Sequence, residues 1–217
     1  MTVKQYQYLY TIQQANTDDI DRLALSICYL YNLQEAEVNL WSANKFGKYC
    51  KKLGKKIAIK TPYFTPRCYQ LDAEKITFGQ FIECQTWIKG NTVKAIHMVA
   101  ASILKSRGTH AMDSEMILQR DINNVLQPVN TFLESMLKLT LKFKWLFGED
   151  KAKPGEKKTE AHPFLTNFGW VFSAKQVAEH LGITINEAYG INIIEALNTL
   201  SYLKASGQYQ TWIAKQT

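Results

Sequence analysis

The sequence predicts a mainly α-helical protein: a helical bundle with one small β-hairpin inserted after the second or third helix, and a helical hairpin at the C-terminal end. Three observations predict it. Apolar residues recur at three- and four-residue spacing through most of the chain. Three capping boxes mark helix starts: Thr77 with Gln80, Ser173 with Gln176, and Thr184 with Glu187. One stretch breaks the helical period. Ile57 and Ile59 alternate with smaller or polar residues, and Tyr69 and Leu71 alternate again. Between them Thr61-Pro62 and Thr65-Pro66 favour extended backbone, because a residue before proline avoids the helical region. A hairpin over about 57–71 is therefore expected.

In chain order, Val3, Tyr6, Leu9, Tyr10 and Ile12 read as a first short helix. Asn16-Thr17-Asp18-Asp19 opens a second, with acids where they complement the helix dipole. Ser42 caps a third, which Gly54 is expected to stop. After the hairpin, Thr77 caps a helix ended at Gly90, and Val93 to Leu104 form another, ended near Gly108. Asp113 or Ser114 starts a helix through about Gln127, and Pro128 kinks it or begins a new one. Val129 to Phe143 continue with the widest apolar face of the chain, closed by Trp145, Leu146 and Phe147.

Residues 149–163 carry no large apolar side chain and mix both charge signs with Pro and Gly, so they read as an exposed charged linker. The expected organisation is a helical domain over 1–148 and a helical hairpin with a tail over 164–217. Ser173 caps the first helix of that hairpin and Gly182 ends it. Thr184 opens a second that runs to Leu203, and Gln208 to Ile213 form a strand-like or coiled tail.

A hydrophobic content of 46% against 21% charged residues is that of a globular chain, not a disordered one. The N-terminus lacks a basic region followed by an apolar run, so no signal peptide is expected. No stretch approaches the ~20 apolar residues of a membrane span. The four cysteines are too widely spaced for a C-x-x-C metal or redox motif, and the histidines are scattered, so neither metal nor cofactor is expected. Glycine-rich phosphate loops, zinc-protease and nucleophile-elbow motifs are all missing, and the chain reads as non-enzymatic.

The net charge of +7 fits a nucleic acid, an acidic protein or membrane headgroups and selects none of them. Its densest part is Lys45, Lys48, Lys51, Lys52, Lys55, Lys56 and Lys60, with no acid among them. This run is either a phosphate-facing patch or a solvated helix end, and it has no arginine and little interleaved aromatic surface. Val177 to Thr184 has the spacing of a helix-turn-helix start. The helix that follows has no Lys or Arg up to Leu203, which disfavours major-groove reading.

Two helices carry more apolar surface than a single core contact requires. Phe132, Met136, Phe143 and Trp145 on one, and Ile191, Ile194 and Leu197 on the other, are the candidate partner-binding residues. The same residues would equally fill a core.

Several segments carry a family resemblance: Thr2-Val3-Lys4-Gln5-Tyr6-Gln7, Ile76-Thr77-Phe78-Gly79-Gln80-Phe81-Ile82-Glu83, Ile96-His97-Met98-Val99-Ala100, the Phe132 helix and Ile194-Glu195-Ala196-Leu197-Asn198-Thr199-Leu200-Ser201-Tyr202. In this order the chain resembles small helical proteins encoded in the structural gene blocks of tailed bacteriophages, crAss-like and other phages of Bacteroidetes hosts among them. Members often have two adjacent phenylalanines in the late helix, where this chain has Phe132-Leu133. The resemblance implies a tail-assembly chaperone or a minor virion protein that binds other phage structural or tail proteins, alone or as an oligomer. It would act in the host bacterial cytoplasm during assembly or remain in the virion. A DNA-associated protein using the lysine run and the helix-turn-helix-like segment is the alternative, and an enzyme without a recognisable motif is the third.

Overall fold

The computed structural model describes residues 1–58, 68–90, 92–105, 110–147 and 163–216. These residues are mainly helical: α1 Val3–Gln13, α2 Asp19–Tyr31, α3 Glu35–Asn39, α4 Ala43–Ile57, α5 Phe78–Lys89, α6 Thr92–Ser102, α7 His110–Leu118, α8 Asn123–Lys142, α9 Lys144–Phe147, α10 Pro163–Leu181, α11 Ile185–Gly190 and α12 Ile193–Ala214. A single 3-10 turn covers Ala73–Lys75. None of the described residues belongs to a sheet; Thr2 with Asp121, Tyr69 with Leu104, and Thr77 with Asn192 form isolated antiparallel bridges. No described helix is long and apolar enough to cross a membrane.

The chain divides into two compact units, Met1–Tyr69 with Trp87–Val129 and Gln70–Thr86 with Asn130–Thr217. They alternate along the sequence, whereas the expected division follows the charged segment at 149–163, of which 149–162 lie outside the described residues.

In the first unit the capping box of Thr2 and Gln5 starts α1: the Gln5 amide N–H donates to Thr2 Oγ1, and the Thr2 N–H donates to Gln5 Oε1. Asp18 caps α2, and Asn32 ends it in the left-handed region at φ 53, a conformation asparagine tolerates better than most residues. Leu9, Ile12, Ala24, Ile27, Leu30, Val38 and Leu53 form the core shared by α1 to α4. The Gln7 amide of α1 donates to the Val93 carbonyl of α6 at 3.0 Å and lies 3.0 Å from His97 Nδ1, so His97 is a boundary residue.

The second unit is built on a clasp between two helix starts. Thr77 and Gln80 form the expected capping box of α5. Asn192 caps α12, its Oδ1 accepting from the Ile194 N–H at 2.8 Å. The two caps pair as a bridge: the Phe78 N–H donates to the Ile191 carbonyl at 2.9 Å and the Ile193 N–H to the Ile76 carbonyl at 3.1 Å. Asn192 Nδ2 adds a bond to the Glu74 carbonyl. Ile76, Phe78, Phe81, Phe132, Ala174, Val177, Ile193 and Leu197 are buried in this unit. The Trp170 ring of α10 meets Phe78 and Phe81 edge-on, at 6.4 and 5.6 Å.

Several sequence expectations change. The hairpin is not supported. Ile57 is the last residue of α4, Tyr69 bridges to Leu104, and residues 59–67 lie outside the described ones. Gly54 does not stop α4. Burial of Leu53 and the favourable position of Lys55 and Lys56 in the last turn outweigh the ~1 kcal/mol cost of a helical glycine. Ser173 does not cap a helix, because α10 already starts at Pro163; the Ser173 hydroxyl donates back to the Gly169 carbonyl. Pro163 suits a first helical position, having no N–H to leave unpaired. The helix expected from Thr184 to Leu203 is two, α11 and α12, separated because Ile191 and Asn192 are extended in the clasp. The tail Gln208 to Ile213 is helical, a continuation of α12, since elongation is easy once a helix is nucleated. The segment from Asp113 to Gln127 is α7 and the first part of α8; Pro128 lies inside α8.

Two predictions follow from this packing. A Cβ added to Gly79 would stand 3.1 Å from the Tyr189 carbonyl oxygen and 3.3 Å from Tyr189 Cβ. The clasp holds that backbone in place, so Gly79→Val should lower stability by about 1–3 kcal/mol in denaturant unfolding, although a branched side chain is no worse than glycine for the helix itself. Glu187 accepts from the Thr184 backbone and hydroxyl, which holds its carboxyl below the usual glutamate range. Its contribution is therefore present above about pH 4.3 and lost as pH falls through the depressed value. Glu187→Gln should flatten that acid limb in thermal melts at stepped pH.

Candidate functional site

The apolar candidates separate into core and surface. Phe132, Met136 and Leu197 are buried in the second unit and are not available to a partner. Phe143, Ile191 and Ile194 are half-buried. Trp145 is 45% exposed, with Lys204 Nζ 5.1 Å from its ring centroid and donating to its carbonyl at 2.9 Å. The wide apolar face of α8 explains the split. Val129, Phe132, Met136 and Leu139 point inward, and the surplus emerges at Leu137 and Leu141.

Among the described residues a dense run of exposed large apolar side chains lies elsewhere, on α10. Phe164, Leu165, Phe168, Val171 and Phe172 are each 38–53% exposed. At ~100° per residue they cover an arc of about 120°. Trp170, Ala174 and Val177 lie on the other side of the helix, with Ala174 and Val177 fully buried. The Phe164 ring lies 5.7 Å from Phe168 and 5.9 Å from Phe172, so the three rings form one ridge. The last turns of α12 add Tyr209 stacked on Trp212 at 6.2 Å, both exposed, with Tyr202 one heptad earlier than Tyr209. The Phe164–Phe172 ridge was legible as i, i+4, i+8 spacing. The expected cap at Ser173 cut the helix just after it and hid the pattern.

The lysines form a second surface, on the first unit. With α4 running to Ile57, Lys45, Lys48, Lys51, Lys52, Lys55 and Lys56 occupy one exposed arc of about 140°. Lys60 lies outside the described residues. Phe46, Cys50 and Leu53 face the core, and Tyr49 stands at the edge of the lysine arc. Aromatic surface beside the lysines comes from the end of α2, the segment before α4 and α4 itself. Trp41 and Tyr49 rings lie 4.5 Å apart, and Tyr31 meets Tyr49 edge-on at 5.1 Å. Lys45 sits over Trp41 at 4.2 Å, Lys52 over Tyr49 at 4.9 Å and Lys56 over Tyr31 at 4.6 Å. Lys56 also donates to the Leu30 carbonyl. Among the described residues none of the six pairs with a carboxylate.

The helix-turn-helix-like segment folds as the end of α10, a left-handed turn at Gly182 and α11. Its second helix is only six residues long, Ile185–Gly190, with no cation. Among the described residues no three His, Cys, Asp or Glu side chains are grouped as metal ligands. Burial pushes the thiols of Cys28 and Cys50 above their ordinary range, and Cys84 is fully buried, while Cys68 is exposed. A cavity of about 310 Å³ in the first unit is lined by Tyr6, Leu9, Tyr10, Leu23, Leu53 and Ile57 among others, a mostly apolar wall with no carboxylate, lysine or histidine.

No protein-family model, curated protein or solved structure matches the chain.

The division of the apolar candidates is measurable. Phe132→Ala should cost about 3–5 kcal/mol in denaturant unfolding, the usual effect of removing a buried aromatic ring. Trp145→Ala should cost far less; equal losses would place both residues in the core.

Proposed function

We propose that the chain works by protein–protein contact, as an assembly or virion protein of a tailed phage, and that its partner is a helical segment of another phage structural protein. The observation that carries this reading is the aromatic ridge of α10. Three phenylalanines on a helix whose other side is already packed form a continuous apolar surface of the kind that binds an apolar helix in a groove or along a ridge. Large aromatic side chains are also what most often anchors such contacts. The exposed Tyr202, Tyr209 and Trp212 of α12 enlarge the apolar surface of the same unit. The family resemblance of the sequence supplies the class of partner, a tail or head protein from the same genome.

The test is pairwise co-expression of the full chain with each structural protein of its own genome, followed by affinity capture. Wild type should retain one tail or head protein, and Phe168→Glu should lose it by at least tenfold while its far-UV circular dichroism and melting temperature stay close to wild type. Capture unaffected by Phe168→Glu, or a variant that no longer folds, would remove the ridge as the binding surface.

A further inference from the structure

We propose that the basic face of α4 is a binding surface for the phosphate backbone of double-stranded DNA, independent of base sequence. The inference starts from geometry. The six lysines span 11 helical steps, ~16 Å at 1.5 Å per residue. Over that length duplex DNA presents about ten backbone charges, one per ~1.7 Å. Six ammonium groups on one arc, without a described carboxylate partner, match a line of negative charge.

Three of the six are also held in position. Lys45, Lys52 and Lys56 lie over the rings of Trp41, Tyr49 and Tyr31, within 4.2–4.9 Å of the ring centroids. A lysine stem laid on an aromatic face keeps its charge in solvent and has already lost part of its rotamer freedom, so less is lost on binding. Among the described residues Lys48, Lys51 and Lys55 lie over no ring, and they remain able to follow the backbone. The face has no arginine, whose planar fork is the usual reader of guanine edges, and ammonium groups act on phosphates as point charges. The expected binding is therefore to the backbone and not to the bases.

The other polyanions fit less well. A helix that lies on a lipid surface inserts an apolar face among the headgroups. The apolar side of α4 is committed to the core through Phe46, Cys50 and Leu53. An acidic protein partner would require a buried anchor at the centre of the contact, where lysine is normally depleted. Here all six lysines are exposed and the rings between them are covered by their own ammonium groups.

The experiment is fluorescence anisotropy of a labelled 30-base-pair duplex with the full chain, from 50 to 200 mM salt. Binding should weaken along a log–log slope of about −5 if all six lysines engage. It should be the same for two duplexes of unrelated sequence. The variant Lys48→Glu, Lys51→Glu, Lys55→Glu should bind at least tenfold more weakly, with a slope shallower by about 3, and should melt as wild type does because these residues are exposed. A control variant, Lys4→Glu, Lys89→Glu, Lys138→Glu, loses the same charge away from α4 and should keep its affinity. The proposal is overturned by no binding at 50 mM salt, by an equal loss in the control variant, by discrimination between the two duplexes, or by binding to anionic phospholipid vesicles in preference to DNA.

Discussion

The second unit depends on two backbone hydrogen bonds, between Phe78 and Ile191 and between Ile193 and Ile76. They fix the starts of α5 and α12 against one another, so both helices leave the same point in a set direction. The consequences are visible in the side chains. Phe78, Phe81, Ile193 and Leu197 are carried into one core, and Trp170 closes it edge-on. Gly79 exists at this point because the Tyr189 backbone passes where a side chain would begin. Once one side of α10 is used against that core, Phe164, Phe168 and Phe172 are left on the other.

The same device occurs in the first unit. Thr2 starts α1 with a capping box, as Thr77 does for α5, and each is followed by a buried apolar residue, Val3 or Phe78. Thr2 bridges to Asp121 through the Val3 N–H to the Arg120 carbonyl and the Ile122 N–H to the Met1 carbonyl. Asp121 Oδ1 accepts from the Asn123 N–H at 2.8 Å, as Asn192 Oδ1 does from Ile194. Burial and hydrogen bonds to Asn123 act on Asp121 in opposite senses, and the bonds prevail, holding its carboxyl below the ordinary range. The two places read alike: Thr2-Val3-Lys4-Gln5-Tyr6 beside Thr77-Phe78-Gly79-Gln80-Phe81, and Asp121-Ile122 with Val125-Leu126 beside Asn192-Ile193 with Ala196-Leu197.

Local signals were legible and long-range ones were not. The boxes at Thr77 and Thr184, a cap within Asn16-Thr17-Asp18-Asp19 and the helical class itself follow from neighbouring residues, and the structure has them, the cap falling on Asp18. Ser173 has the same local pattern and fails, because a serine in mid-helix bonds back to the carbonyl four residues earlier. Nothing local decides between these states; the buried side of α10 does. The break at Ile191 and Asn192 was invisible for a similar reason, since its cause, Ile76 to Phe78, is far away in sequence. The lysine run was legible as charge. Its aromatic support was not, because Tyr31 and Trp41 come from outside α4 and meet Tyr49 only in the fold.

The clasps set an order of events during synthesis. Met1 and Asp121 are separated by 120 residues and Glu74 and Asn192 by 118, so each clasp joins distant parts of a chain that emerges from one end. The first can close only after Ile122 has left the ribosome, by which time Thr77 and α5 are already outside and waiting for a partner not yet translated. For roughly seventy further residues, several seconds at ordinary elongation rates of about 5–20 residues per second, the start of α5 lacks its clasp partner, although Phe147 and Trp170, which pack on Phe81, follow earlier. The helix start at Thr77 thus waits for its clasp partner over about as much chain as the start at Thr2 does, 118 residues against 120.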